Sequence, residues 1–180
     1  MIKLFRQLPR YFLHGLWALP VVFLIRVLRP IKLIRVGVIQ SSRVGHFAAD
    51  VGQRKARDQI RVDEDSVDWY YLQDQGRSSN TFWRKVVHRW FNVNQLVRYV
   101  YIWNQVIPFG KAHQINLHNN KSRDSGGYLE KAQLALPTSS DEEQLVITWM
   151  QQFGWEVGDP FVCLMVRDAK YLCSEFPDQR

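Results

Sequence analysis

The sequence predicts an α/β fold built on buried parallel strands, and three observations carry that expectation. Ile34–Ile39 (IRVGVI) is a short β-branched run that passes through a small polar loop into a segment of helical character, His46–Arg57. Phe161–Val166 (FVCLMV) is an unbroken apolar run preceded by the turn signal Gly158-Asp159-Pro160, the pattern of a strand buried on both faces. Between them, Trp83, Val86, Val87 and Trp90 recur at i, i+3, i+4, i+7, one face of a helix.

The N-terminal region, residues 1–30, is basic and apolar. Its most apolar window is Tyr11–Leu28. A signal peptide fits the basic start, but no small-x-small cleavage pattern follows. A spanning helix needs about 20 apolar residues, and His14, Gly15, Pro20 and Arg26 interrupt this window. A buried or partner-packed helix is a third reading. The first expectation is a helix lying in a membrane interface, with Trp17 and Phe23 dipping in and arginines on the phosphates. Pro30 ends the segment. Composition points the same way. The 180 residues carry a net charge of +7, which suits a membrane surface, a phosphorylated ligand or nucleic acid. Lys3, Arg6, Arg10, Arg26, Arg29, Lys32 and Arg35 lie beside apolar residues, which favours the membrane. Two cysteines make no disulfide framework, and Cys163 reads as a strand core residue in a reducing cytoplasm.

After the first strand, Gln40–Gly45 forms a small polar turn. It lacks the G-x-G-x-x-G spacing of a dinucleotide site, but its backbone N–H groups face the start of a helix and suit an anion. His46 stands at that mouth. Spacing alone reads it as a capping or packing histidine; the functional alternative is a general base. Val67–Leu72 (VDWYYL) reads as a second strand. Asp63-Glu64-Asp65 before it has the D-x-D spacing of a cation–diphosphate site, but it precedes a strand and reads as a solvated acidic loop. Asn80–Val93 and Gln95–Val106 read as helices. Arg84, Lys85 and Arg89 among aromatics have the letters of a nucleic-acid surface, and an amphipathic helix with a solvated basic face explains them as well. His113 and His118 have no acid or cysteine at ligand spacing, so no metal site is expected. Asn119–Gly127 is loop-like. Ser140-Asp141-Glu142-Glu143 fits a capping box with Ser140 at the cap. Leu145, Val146, Trp149, Met150 and Phe153 then form an apolar face, and Gly154 suits the C-terminal cap. That helix leads to Phe161–Val166, whose end carries Arg167 and Asp168, where open α/β sheets bind ligands. A buried parallel strand needs neighbours, so the run is expected to open a second domain whose body is missing.

Taken together, these pieces resemble a group of bacterial glycosyltransferases linked to surface-polysaccharide gene clusters. The resemblance rests on the basic N-terminus ending in Arg29-Pro30, on IRVGVIQSSRVGHFAADV with Arg43, Gly45 and His46, and on Asn80 before the Trp83 helix. It continues through Ser122-Arg123-Asp124, the DEEQ helix start and FVCLMVRDAKYL with Arg167, Asp168 and Tyr171. Met165 stands where the family pattern has a histidine. The resemblance implies the Rossmann-like N-terminal half of a GT-B-type two-domain fold. Residues 1–30 would be the membrane-associating helix, 31–157 the acceptor-side domain, and 158–180 the start of a truncated donor-binding domain. It implies metal-independent transfer from a nucleotide-sugar co-substrate, with no other cofactor, to a surface-glycan or lipid-linked acceptor at the cytoplasmic face of the inner membrane. His46 would be the base with Asp50 behind it; Arg43, Gly45, Arg123, Asp124, Arg167, Asp168 and Tyr171 would bind substrate. No nucleic-acid partner is implied. Two other readings stand beside this one: a catalytically inactive remnant, and a membrane-associated basic binding protein.

Overall fold

The structure, a computed structural model, describes residues 2–60, 66–73, 78–115, 117, 124 and 126–163, with side chains from residue 13 onward. It divides into two compact units, Met1–Pro137 and Thr138–Arg180.

The first unit is an α/β layer structure. Its sheet holds four parallel strands, β1 (Leu33–Ile39), β2 (Ser66–Leu72), β3 (Asn92–Val93) and β4 (Gln114–Ile115), in the order β3-β2-β1-β4. Helices α2 (Val44–Ile60), α3 (Thr81–Trp90) and α4 (Val97–Val106) make the connections between successive strands, and α1 (Ile2–Val27) precedes β1. The strand order is consistent with a Rossmann-like sheet, in which the connections leave β1 in opposite directions. Alternation along β2 builds two cores. Tyr70 and Leu72 join Ile39, Phe47, Val51 and Val87 on the α2–α3 side. Trp69 and Tyr71 face the α1–α4 side, with Ala18, Val22, Ile25, Val36, Val97 and Val100. Successive strand side chains point to opposite faces, so one strand serves both cores.

Both strands expected in the first half are found, each one residue longer at its start. The helix expected over Asn80–Val93 is shorter. Asn80 caps it by accepting from the Trp83 N–H at 2.8 Å, and after Trp90 the chain turns into the edge strand β3. Helical periodicity ran into Val93 because the aromatic letters continue. The pairing of Asn92 and Val93 with Trp69 and Tyr70 is a tertiary choice.

α1 is a packed helix as much as a surface one. Ala18, Val22 and Ile25 are buried against β1 and α4, and Gly15 lies under the Trp103 ring, where a Cβ would collide. Leu13, Leu16, Phe23, Leu24 and Val27 remain exposed on the opposite face. No helix among the described residues is long and apolar enough to cross a membrane. The two polar groups that interrupt the apolar window turn inward. His14 stacks on Tyr99 at 3.9 Å between ring centroids and accepts from Trp17 Nε1 at 3.0 Å. Arg26 reaches the end of α4.

In the second unit, α6 (Ser140–Gln151) starts one residue earlier in its cap than expected. Ser139, not Ser140, is the N-cap, and Glu142 returns the second bond of the capping box. The paired letters Ser139-Ser140 and Glu142-Glu143 allow both registers. Gly154 takes φ +81°, the left-handed conformation expected after a helix. The expected apolar face is not buried: Leu145, Val146, Trp149 and Phe153 are exposed. Nor is the expected strand formed where it is described. Phe161, Val162 and Cys163 are exposed coil, so Cys163 is not a core residue. A strand is stable only when its backbone groups are paired, and no strand among the described residues pairs with these three. The rest of that run, Leu164–Val166, lies outside the described residues, as do Asp63-Glu64-Asp65 and His118.

Candidate functional site

The site is the carboxyl end of β1 and β2. In the order β3-β2-β1-β4 the connections diverge between β1 and β4, so the loop after β1 borders that crevice. The loops after β1 and β2 are stitched together. The Gln73 N–H donates to the Ile39 carbonyl at 2.9 Å, and the Ser79 N–H donates to the Ser41 carbonyl at 2.8 Å. Ser41 is fully buried, and its Oγ donates to the Gln73 carbonyl at 3.3 Å. The Trp83 indole N–H donates to the Phe47 carbonyl at 2.8 Å, tying α3 to the first turn of α2. These bonds fix where α2 begins.

That beginning is open. Arg43, Val44, Gly45 and His46 are exposed, and a Cβ at Gly45 would meet nothing within 4 Å. The first turn holds no acidic residue, so its N–H groups and the Arg43 guanidinium leave the end electropositive. One turn along, Asp50 is buried, and its Oδ2 lies 3.5 Å from His46 Nδ1. The i, i+4 spacing stacks the two side chains on one face of α2. At 3.5 Å the contact is an ion-pair distance and not a hydrogen bond, and it sets the Asp50 carboxylate beside one ring nitrogen of His46.

Of the expected site residues, Arg43, Gly45, His46 and Asp50 are therefore brought together. Asp124 acts locally: its Oδ2 accepts from the Leu129 N–H at 2.7 Å and its carbonyl from the Gly127 N–H, capping the short helix α5 (Tyr128–Lys131). Arg123, Arg167, Asp168 and Tyr171 lie outside the described residues. Ser41 was missed by sequence reasoning. Its only signal was position, the second residue after an apolar run.

Two clefts lie elsewhere in this unit. Toward the amino ends of β1 and β2, Arg35, Arg54, Arg57, Asp58 and Asp68 line a cavity of about 470 Å³. Arg35 and Asp68 are register partners and form a two-point ion pair at 2.7 and 3.1 Å. Arg54 bonds Asp68, and Asp58 at 2.9 Å. Burial lowers the pKa of Arg54, but Tyr70, Asp58 and Asp68 outweigh it and the value is raised. Burial raises Asp58, against the pull of Arg54. Tyr70 is pushed far up, first by burial, and its hydroxyl donates to Asp68 at 3.3 Å. These ion pairs fasten α2 to the sheet, while the buried Nε of Arg54 keeps no hydrogen-bond partner among the described residues and Arg57 lines the same cavity. The second cleft, about 610 Å³, lies beside α1 and is lined by Trp17, Val21, Trp69, Phe91 and Val100.

His113, expected to hold no metal, is buried and bonds the Ile34 carbonyl at 2.7 Å. A carbonyl only accepts, so Nδ1 carries the proton. Among the described residues, no group of three or more His, Cys, Asp or Glu is placed to hold a metal ion. No family model, no curated protein and no solved structure matches the chain.

Proposed function

We propose that the chain is the acceptor-side half of a glycosyltransferase that works at the cytoplasmic face of a bacterial inner membrane. The observation that carries this reading is the His46–Asp50 pair on the open first turn of α2, at the carboxyl end of a parallel sheet. In this role His46 Nε2 takes the proton of an acceptor hydroxyl as its oxygen bonds to the anomeric carbon. The bond from that carbon to the diphosphate of a nucleotide-sugar donor breaks, and the pair of electrons leaves with the phosphate. Asp50 holds the imidazole in line and balances the imidazolium that forms. Negative charge growing on the leaving group is met by backbone N–H groups and arginines, Arg43 and Arg123 on this side and Arg167 on the donor side, so the step calls for no metal. Asp168 and Tyr171 complete the substrate contacts in this proposal, and the acceptor is a surface-glycan or lipid-linked sugar.

The test is transfer of labelled sugar from a panel of nucleotide-diphosphate sugars to a membrane-lipid extract by a purified full-length homologue that carries both halves, with substitutions at the positions matching His46 and Asp50. His46→Ala is expected to lower the rate by about 100-fold or more, and Asp50→Asn by less. Normal transfer by both variants would refute the roles. A second reading, a membrane-associated basic binding protein, is favoured by the charge distribution alone; it predicts vesicle binding with no turnover for any donor.

A further inference from the structure

We infer that the α1–α4 layer docks on an anionic lipid bilayer through two anchors: the outer face of α1, and the loop that carries Phe109. The inference extends the membrane attachment proposed above for residues 1–30, and it rests on that reading for the first anchor only.

Phe109 is 94% exposed, and its backbone is left-handed, at φ +67°. It is the single non-glycine residue with positive φ among the described residues. That conformation is unfavourable for an L residue and persists only where neighbours impose it. The neighbours are identifiable. Arg26, in the last turn of α1, donates to the carbonyls of Asn104, Ile107 and Pro108 at 3.2, 3.0 and 2.7 Å. Buried Asn104 accepts from Arg26 at 2.9 Å and donates to the Gly110 carbonyl at 3.0 Å. The loop is thus clamped on both sides of Phe109, and the clamp turns the ring out to solvent instead of into the core.

The surroundings say what receives it. Val106 is exposed three residues before Phe109, and Val27 and Ile31 are exposed at the end of α1 that Arg26 ties to this loop; Arg29 and Lys111 are exposed next to them in sequence. Aromatic and aliphatic side chains rimmed by cations suit the headgroup boundary of a bilayer. Neither residues 1–49 nor residues 75–123 contain a single Asp or Glu, and these segments supply α1, α3, α4 and the Phe109 loop. A second copy of the chain would bring the same basic rim against itself with no acid to pair. An anionic bilayer supplies both the hydrocarbon and the counter-charge.

The experiment is co-sedimentation of the full chain with vesicles of phosphatidylglycerol or of phosphatidylcholine, with melting temperature measured in parallel. The wild type is expected to bind the anionic vesicles, and more weakly as salt rises. Phe109→Gly removes the ring and relieves the backbone. It is expected to keep or raise the melting temperature while vesicle affinity falls about tenfold, the equivalent of one well-buried aromatic side chain. Phe109→Trp should restore the affinity. Unchanged affinity in Phe109→Gly overturns the second anchor and leaves the first. A lowered melting temperature in Phe109→Gly assigns the ring a packing role and overturns the inference. Absence of vesicle binding by the wild type, with Leu16→Ser/Phe23→Ser behaving alike, overturns both anchors. Self-association that depends on Phe109 without vesicles gives the surface to a second copy.

Discussion

Arg26 shows how little a residue's type says about its use. In the sequence it interrupts an apolar window and weighs against a spanning helix. In the fold its guanidinium joins α1 to the end of α4, bonding three backbone carbonyls and the Asn104 side chain. A side chain able to donate in several directions at once is what such a cluster of acceptors needs. Arg26→Met is expected to lower stability by about 1.5–3 kcal/mol, since it strands buried acceptors that a charged donor had satisfied; chemical denaturation measures it. Gly110 is the counterpart. A Cβ there would collide with the Asn104 carbonyl oxygen and crowd Arg26, so Gly110→Ala is expected to cost about 1–3 kcal/mol by overpacking. Neither role was legible beforehand: that of Arg26 depends on a contact 78 residues away in sequence, and that of Gly110 on the close return of the chain to Asn104. His46 and Asp50 were legible in part. Spacing alone read His46 as a capping or packing histidine, Asp50 entered only through the resemblance, and the buried state of Asp50 came only with the fold.

Among the elements, those whose local signals were complete were read correctly. β1 and β2 are β-branched or aromatic runs bounded by polar residues, and both formed. Asn80 was expected as the first residue of a helix, and in the fold its side chain is the N-cap of α3. Asn80→Ala is expected to cost about 1 kcal/mol, seen as a lower melting temperature for the first unit, where α3 seals one core. Elements chosen by their neighbours were not read. β3 is two residues long and exists because β2 offers an edge at Trp69 and Tyr70. Phe161–Cys163 has the letters of a buried strand and is exposed coil, since a strand's stability resides in pairing and not in its own sequence.

For the whole molecule, the buried ionisable groups set how stability varies with pH. Tyr70 titrates well above its ordinary value, chiefly through burial, and Tyr101 is raised for the same reason. In the unfolded chain these phenols ionise near pH 10. Above that pH the unfolded state has lost protons that the folded state keeps, so stability falls as pH rises. Tyr70→Phe is expected to flatten that alkaline decline while lowering stability at neutral pH by about 1 kcal/mol through the lost bond to Asp68. Thermal melts between neutral pH and pH 11 distinguish the two effects.

The long separation between α1 and its seat also bears on how the protein is made. Arg26 and Asn104 lie 78 residues apart. At about 5–20 residues per second, their emergence from the ribosome is separated by roughly 4–16 s. During that interval α1 is present and α4 is not, so Ala18, Val22 and Ile25 lack their α4 partners and an inner apolar face is uncovered beside the outer one. Lipid or a chaperone is then the nearest cover for it. Nascent chains arrested before Val97 are expected to bind vesicles more tightly than the finished protein, whose inner helix face is already occupied. Under the docking inferred above, the membrane would meet the helix first and the sheet would assemble against a helix already at the surface.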